Sequence, residues 1–224
     1  MNQQDNAPKA PKARFASARA YALDLATTLF LYVSVSVLAG RVWRFPFDDE
    51  IATLSKIEPD AARAFIAGFP ATDDIHPPLS YAVFYVLRQL GLSDAGMRAC
   101  SLAMTAAALL LIQLLVLIWI SRRDGRLPPV ASRFLAVLIF GLGPLAVSRG
   151  DALRWYPVFA LLFALVVTLY VAPRDGPAQL WSGVALGLAA STDFSGALIA
   201  APLMLYRYAL SGDFAGRSTY PTGS

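Results

Sequence analysis

The sequence has few charged residues. Only 15% of its 224 residues are Asp, Glu, Lys or Arg, whereas about 25% is usual for a soluble globular domain. Hydrophobic residues make up 57% of the chain, and its mean hydropathy is +0.53. This balance argues against an ordinary soluble domain and favours a chain that places much of its apolar surface in a membrane.

Cysteine and histidine are also scarce. Cys100 and His76 are the only residues of their types, so a disulfide framework is excluded and no cluster of Cys and His is available for a metal. The net charge of +4 does not indicate nucleic acid, because the basic residues lie at the edges of apolar blocks, where membrane topology places them. We expect no nucleic-acid partner.

Most of the apolar residues lie in long blocks instead of amphipathic stripes. A helix needs about 20 apolar residues to cross the roughly 30 Å of hydrocarbon in a bilayer. Several blocks approach or exceed that length, so the sequence predicts an all-α, polytopic integral membrane protein. The blocks are Tyr21–Gly40, Ala99–Ile120, Phe134–Ser148, Trp155–Ala172 and Leu180–Leu210.

The polar segments between and outside these blocks predict the topology. Residues 1–20 indicate a disordered basic tail in the cytoplasm, and residues 211–224 a polar C-terminal tail. The first apolar block is longer than the core of a usual signal peptide, which favours a signal anchor over cleavage near Val37–Gly40. Residues 41–76 then form a long extracytoplasmic loop, and the basic segment Ser121–Arg126 lies inside, as positively charged loops do.

Three segments allow more than one interpretation. Glu50–Phe69 has helical spacing broken by Pro59, which predicts two short helices on the membrane surface. Pro77–Leu90 is too short for a comfortable span and is interpreted as an interfacial or half-inserted helix; if it spans instead, every later loop inverts. Leu180–Leu210 is either one tilted helix with Asp193 inside the membrane or two short helices meeting at an outer tip. The second is favoured because a charge in hydrocarbon is expensive.

Three polar clusters fall on the outer side in this topology. They are "FDDE" (Phe47–Glu50), "DDIHPP" (Asp73–Pro78) and "RGDALRWY" (Arg149–Tyr156). The first two supply carboxylates and an imidazole, and the third supplies guanidinium groups. A carboxylate can take a proton from a hydroxyl, and arginines can hold a phosphate without titrating. The clusters together indicate a site for group transfer between two substrates.

The order of these motifs resembles the N-terminal module of GT-C glycosyltransferases. The resemblance is to protein O-mannosyltransferases and to bacterial dolichyl-phosphate-mannose and aminoarabinose transferases, and it covers most of residues 21–210. It rests on the pair Asp49-Glu50, on His76-Pro77-Pro78-Leu79, on Arg154-Trp155-Tyr156 and on Arg98 at the start of a helix.

The resemblance implies a fold, an activity and a place in the cell. It implies a GT-C-like helical module in the bacterial cytoplasmic membrane that transfers a sugar from a polyprenyl-phosphate carrier. The acceptor would be a glycan, a lipid or a protein, and the reaction would invert the configuration at the sugar. Asp49 would deprotonate the acceptor hydroxyl, and Glu50 would orient Asp49 or bind a divalent metal if one is used. His76 would contact the phosphate or the acceptor.

Further residues are substrate-binding candidates. Arg149 and Arg154 would neutralise the phosphate, and Arg98, Tyr156 and Asp193 complete the predicted site. No metal ligand is assigned and no cofactor is implied with certainty. The plainer interpretation is that the acids belong to a solvated loop and that the arginines and aromatic residues anchor the chain at the membrane interface.

Two other classes of function remain open. Members of the GT-C family are commonly longer, so the chain is expected to be a fragment, a truncated product or a minimal member. The second class is a non-catalytic membrane subunit that has lost the C-terminal half and binds lipid phosphate or serves as a scaffold for a partner. The third class is a transporter with Asp193 as an ion or proton site, but the paired repeats typical of transporters are not evident in the sequence.

Overall fold

In the part of the chain that the computed structural model describes, all regular secondary structure is helical, which confirms the predicted all-α class. This part consists of residues 11–44, 46, 48–58, 60, 62, 78–124, 128–143, 149–171, 177–192, 198, 202 and 205. It contains seven helices of two turns or more and no strand. They are α1 (Pro11–Leu38), α2 (Asp48–Ile57), α3 (Leu79–Gln89), α4 (Asp94–Asp124), α5 (Val130–Gly141), α6 (Trp155–Val171) and α7 (Pro177–Ala190).

Two of these seven helices are long and apolar enough to cross a membrane. They are Ala18–Leu38 within α1 and Asp94–Ser121 within α4. Helix α5 and most of α6 are apolar but shorter. Large apolar side chains on these helices face away from the protein, among them Phe30 at 69% and Val130 at 77% exposure. Exposed apolar surface of this kind marks a membrane or protein contact.

Helix α1 begins earlier than the sequence analysis places it. It starts at Pro11, so residues 11–20, assigned above to the disordered tail, are helical. Proline is well suited to the first position of a helix because its missing N–H would have no partner there. The Ala, Lys and Arg residues that follow are strong helix formers. Residues 1–10 and 211–224 lie outside the described part.

Helices α1 and α4 pack side by side in opposite directions. Near one end, the Tyr21 hydroxyl donates a hydrogen bond to the carbonyl of Leu117, at 3.4 Å. Near the other end, the buried Tyr32 packs against Leu102 and Ala106. The end of the bundle where α1 finishes and α4 begins is called the upper end below.

Helix α5 runs parallel to α1. Arg133 donates hydrogen bonds to both oxygens of Asp24, at 2.6 and 3.0 Å, and Gly141 lies against Leu31 two turns further along both helices. A Cβ atom on Gly141 would lie 3.0 Å from the Cβ atom of Leu31. The glycine therefore allows the two helices to approach closely at the upper end.

Helices α6 and α7 complete the bundle. The start of α6 packs near the start of α4, since Val158 and Leu153 share a core with Met97. Helix α7 packs along α6 and ends near α3, where the Leu79 amide donates to the Ser191 carbonyl at 3.1 Å. Helices α1, α5 and α7 thus run toward the upper end, and α4 and α6 run away from it. This is the alternation of directions predicted from the sequence.

The two short helices, α2 and α3, lie at the upper end. Helix α2 ends at Ile57, just before Pro59, as predicted for the first short helix; most of the second lies outside the described residues. Helix α3 has 11 residues, about 16 Å at 1.5 Å per residue. Its N-terminus meets the end of α7, and near its C-terminus Arg88 pairs with Asp94 at 2.8 Å. Both ends are at the upper end, which favours the interfacial interpretation over a span.

Helix α7 resolves part of the ambiguity in the last apolar block. It ends at Ala190, and a turn follows at Ser191 and Thr192. The chain therefore stops being helical at the upper end, before Asp193. This agrees with the interpretation of two short segments in preference to one long tilted helix. Asp193 itself lies outside the described residues.

Candidate functional site

Glu50 is the centre of a buried ion cluster at the upper end. It lies in the first turn of α2 and is fully buried. Arg44 donates to both of its carboxylate oxygens, at 2.8 and 2.9 Å, and Arg98 donates to Oε2 at 3.2 Å. The backbone amide of Leu153 donates to Oε1 at 2.9 Å. These hydrogen bonds join the start of α2 to α4 and to the segment before α6.

Asp151 is the second acid of the cluster. It is also fully buried, and its Oδ2 atom accepts a hydrogen bond from Nε of Arg44 at 3.0 Å. The preceding residue, Gly150, accepts a hydrogen bond from the Thr105 hydroxyl at 3.0 Å. These contacts fix the segment before α6 against α4. Arg44, Glu50, Arg98 and Asp151 are called the ion cluster below.

The ion cluster is balanced in charge, with two arginines and two carboxylates. Burial alone would lower the pKa of Arg44. Its hydrogen bonds to Glu50 and the nearby charge of Asp151 raise the pKa by more than burial lowers it, so the pKa lies above the ordinary value. Arginine is therefore always charged here. Buried charges are costly to leave without a partner. The four residues consequently depend on one another.

Sequence reasoning found two of the four members. Glu50 and Arg98 were predicted through the GT-C resemblance, whereas Arg44 and Asp151 were not. Asp151 lies inside the "RGDALRWY" motif, and Arg44 stands shortly before "FDDE". The sequence did contain a signal for Asp151, which lies between Arg149 and Arg154 and next to an apolar block. A carboxylate that is buried there needs a cation as its partner.

An apolar groove opens beside the ion cluster, between α4, α5 and α6. Its cavity has a volume of about 630 Å³. Most of its walls are apolar, while Arg149, Gly150 and Tyr156 form one end. The guanidinium carbon of Arg149 lies 5.9 Å from the centroid of the Tyr156 ring, within the range of a cation–π contact. The apolar walls include Ala108, Leu109, Ile112, Phe140, Phe159 and Phe163.

A row of aromatic side chains runs along the α6 side of the groove. The rings of Trp155 and Tyr156 are 4.3 Å apart between centroids, Trp155 and Phe159 are 5.6 Å apart, and Phe159 and Phe163 are 5.9 Å apart. Residues four apart share a helix face, so this order follows from the sequence spacing. Tyr156, Phe159 and Phe163 of this row line the groove and give it an aromatic wall beside Arg149.

The structure brings some of the predicted site residues together, and the positions of others lie outside the part that it describes. Glu50 and Arg98 meet in the ion cluster, and Arg149 and Tyr156 meet at the end of the groove. Arg154 lies in the segment between them and is half-buried, but it is not among the residues that line the groove. Three further candidates are not fully placed: Asp49 lies in the first turn of α2 with a side chain outside the described part, and His76 and Asp193 lie outside it entirely.

The described residues contain no cluster of side chains typical of a metal site. Among the described residues, no three or more His, Cys, Asp or Glu side chains lie close enough to hold an ion. The oxygens of Glu50 already accept hydrogen bonds from Arg44, Arg98 and Leu153. A metal-binding role of Glu50 stays a prediction.

Comparison with known proteins does not assign the chain to a family. No protein-family model, no curated protein and no solved structure matches the chain. The resemblance to GT-C glycosyltransferases therefore stays a prediction that rests on the motifs.

Proposed function

We propose that the chain is a polytopic membrane module of GT-C type that binds a polyprenyl-phosphate-linked sugar and transfers the sugar to an acceptor. The observation that carries this proposal is the groove with Arg149 at one end. A polyprenyl carrier is a long apolar chain that ends in a phosphate. The groove offers apolar walls for such a chain and, at one end, a guanidinium group suited to phosphate.

The membrane setting is supported by the helices themselves. Two of them are long enough to span a bilayer, the directions of the five longer bundle helices alternate, and apolar side chains such as Phe30 cover their outer surfaces. The basic N-terminal segment favours a cytoplasmic N-terminus. The upper end, with the ion cluster and the Arg149 end of the groove, would then face the extracytoplasmic side of a bacterial cytoplasmic membrane.

The ion cluster supplies the link between the carrier and the acceptor. Because Glu50 accepts a hydrogen bond from the Leu153 amide at 2.9 Å, the start of α2 is fixed to the segment that also carries Arg149 and Arg154. Asp49 is the neighbour of Glu50 in that first turn. The proposed base and the proposed phosphate ligand, Arg149, thus lie on two segments that the same buried contact joins. Glu50 acts as a positioning residue for Asp49.

The proposed reaction is a single displacement. The Asp49 carboxylate accepts the proton of the acceptor hydroxyl, and the acceptor oxygen forms a bond to the anomeric carbon of the sugar. The bond from that carbon to the phosphate oxygen breaks on the opposite face, so the configuration inverts. Polyprenyl phosphate leaves with the electron pair, and Arg149 stabilises its additional negative charge.

The test measures donor retention and sugar transfer separately. The purified chain is reconstituted in vesicles that contain a radiolabelled polyprenyl-phosphate sugar, with a membrane extract as the source of acceptor. Asp49→Asn should retain the donor but lower transfer by roughly 10²–10⁴-fold, the usual effect of removing a general base. Asp48→Asn is the matched control and should transfer normally. Retention of donor with no transfer by any variant, including wild type, would instead support a non-catalytic lipid-phosphate-binding subunit.

Arg149 is tested in the binding arm of the same experiment. Lysine keeps the charge but not the planar fork of guanidinium nitrogens. Arg149→Lys should therefore weaken donor retention by about 1–3 kcal/mol, the scale of a charged hydrogen bond. Arg154→Lys is the comparison on the same segment and should have the smaller effect, because Arg154 does not line the groove. Equal retention by wild type and Arg149→Lys would remove the groove from the proposal.

A further inference from the structure

The side chain of Thr105 lies at the Arg149 end of the groove. Thr105 belongs to α4, is 5% exposed, and lines the groove together with Arg149 and Gly150. Its hydroxyl donates a hydrogen bond to the Gly150 carbonyl at 3.0 Å. The Arg149 carbonyl, one peptide earlier, accepts a hydrogen bond from the Ala152 amide at 3.1 Å. The two carbonyl groups that follow the Arg149 side chain along the backbone are therefore both held in place.

The chemistry of the Thr105 hydroxyl argues against direct contact with a phosphate. A threonine hydroxyl has one hydrogen, and Thr105 donates this hydrogen to Gly150. The hydroxyl therefore offers only lone pairs to an anion. Without the hydroxyl, the carbonyl of the buried Gly150 would lose this donor, and its partial negative charge would lie beside the groove. An effect of Thr105 on a bound phosphate thus passes through the Gly150 peptide and its neighbour Arg149.

Other contacts hold the same segment from the side of the ion cluster. Arg44 donates to Asp151, and Glu50 accepts from the Leu153 amide. Neither Arg44 nor Glu50 lines the groove, and both act further along the chain from Arg149 than Thr105 does. A long arginine side chain loses rotamer freedom when it holds a ligand. A backbone that is fixed next to the arginine reduces this cost.

We propose that Thr105 is a positioning residue for Arg149, and that it holds the guanidinium where a prenyl phosphate can reach it. This inference rests on the proposed carrier site and adds to it the origin of selectivity for the charged lipid. A polyprenyl phosphate and the corresponding polyprenol have the same apolar chain, so the apolar walls bind both. Arg149 distinguishes them, because only the phosphate gains a charged hydrogen bond from a guanidinium.

The test compares two lipids that differ only in the phosphate. Polyprenyl phosphate and the polyprenol of the same chain length are added separately to the purified full chain in mild detergent, and bound lipid is counted by native mass spectrometry. Thr105→Val removes the hydroxyl but keeps the branched shape. It should weaken the binding of polyprenyl phosphate about threefold to tenfold, the effect of one hydrogen bond, and leave polyprenol unchanged. Thr105→Ser keeps the donor and should bind both lipids as wild type does.

Thr168→Val is the matched control on α6. The Thr168 hydroxyl donates to the Ala164 carbonyl of its own helix at 2.7 Å, and Thr168 does not line the groove. Its loss should change the binding of neither lipid. If Thr105→Val does not fold, Thr105→Ala compared with Thr105→Ser gives the same contrast between a chain with the hydroxyl and one without it.

A double variant tests whether Thr105 acts through Arg149. Arg149→Gln should weaken polyprenyl phosphate binding, and Thr105→Val added to Arg149→Gln should cause no further loss, because two residues that act as one unit are not additive. An equal loss of both lipids in Thr105→Val, unchanged binding of polyprenyl phosphate, or an additive loss in the double variant would overturn the positioning role alone. Wild type that binds polyprenyl phosphate no better than polyprenol would overturn the proposed carrier site, and this inference with it.

Discussion

The fully buried carboxylate of Glu50 shows how strongly one residue can depend on its partners. It lies between two arginines, and its hydrogen bonds come from three separate parts of the chain. If the carboxylate became neutral, Arg44 would keep Asp151 as a partner, but Arg98 would lose its ion pair in a buried environment. Removing one partner of a buried pair costs much more than the net value of the pair, because a charge is left without compensation.

Glu50→Gln should therefore lower the free energy of unfolding by about 3–5 kcal/mol. Chemical unfolding in detergent, followed by circular dichroism, measures this value. Glu58→Gln is the matched control: Glu58 is 57% exposed and lies 3.6 Å from Arg88, so its loss should cost about 0–1 kcal/mol. Equal values for the two variants would mean that the ion cluster does not hold the upper end together.

The sequence could predict Glu50 but not its surroundings. The Asp-Glu pair was found through its place after the first apolar block. Arg44 and Asp151 are 107 positions apart, and no local pattern connects residues at that separation. Which cation meets which acid is decided by the packing of α1, α4 and the segment before α6. Pairing across such distances is a property of the tertiary fold and cannot be read from periodicity.

At the scale of elements, the sequence was most successful where composition alone decides. The long apolar helices, the break before Pro59 and the helix that begins at Trp155 were all predicted. Helix α3 was ambiguous, because a short apolar helix has the same composition whether it spans or lies at an interface. Its direction is set by contacts at its two ends, namely Leu79 with Ser191 and Arg88 with Asp94. These are tertiary contacts, which a sequence pattern does not predict.

The packing of α1 on α5 gives a second prediction. A methyl group at Gly141 would lie 3.0 Å from the Leu31 Cβ atom and 3.4 Å from the Thr28 carbonyl oxygen, so the helices would have to separate. Gly141→Ala should lower the free energy of unfolding by about 1–3 kcal/mol, as overpacking does. Gly183 in α7 has open space around it. Gly183→Ala should instead raise stability by about 0.5–1 kcal/mol, because alanine is the better helix former.

Thermal unfolding of the two alanine variants in the same detergent compares these signs directly. Opposite shifts in melting temperature are expected, downward for Gly141→Ala and upward for Gly183→Ala. A stabilised Gly141→Ala variant would show that α1 and α5 do not approach each other as closely as described.

For the whole molecule, the decisive feature is that polar groups collect at one end of an apolar bundle. The ion cluster, both short helices and the Arg149 end of the groove lie at the upper end. If α3 spanned the membrane, its two ends would lie on opposite sides and the groups before and after it would be separated by the bilayer. The proposed site requires that they share one side.

The positions of Glu58 before α3 and Leu90 after it test this arrangement. Both are exposed, and each is replaced in turn by cysteine in a chain whose Cys100 has been changed to alanine. Because both ends of α3 lie at the upper end, Glu58→Cys and Leu90→Cys should react with an impermeant thiol reagent added outside intact cells. Arg19→Cys, at the other end of the span in α1, should react only after the membrane is permeabilised. Labelling of Glu58→Cys and Leu90→Cys from opposite sides would make α3 a span, invert every later loop and separate Asp49 from Arg149, so that the proposed transfer site could not form.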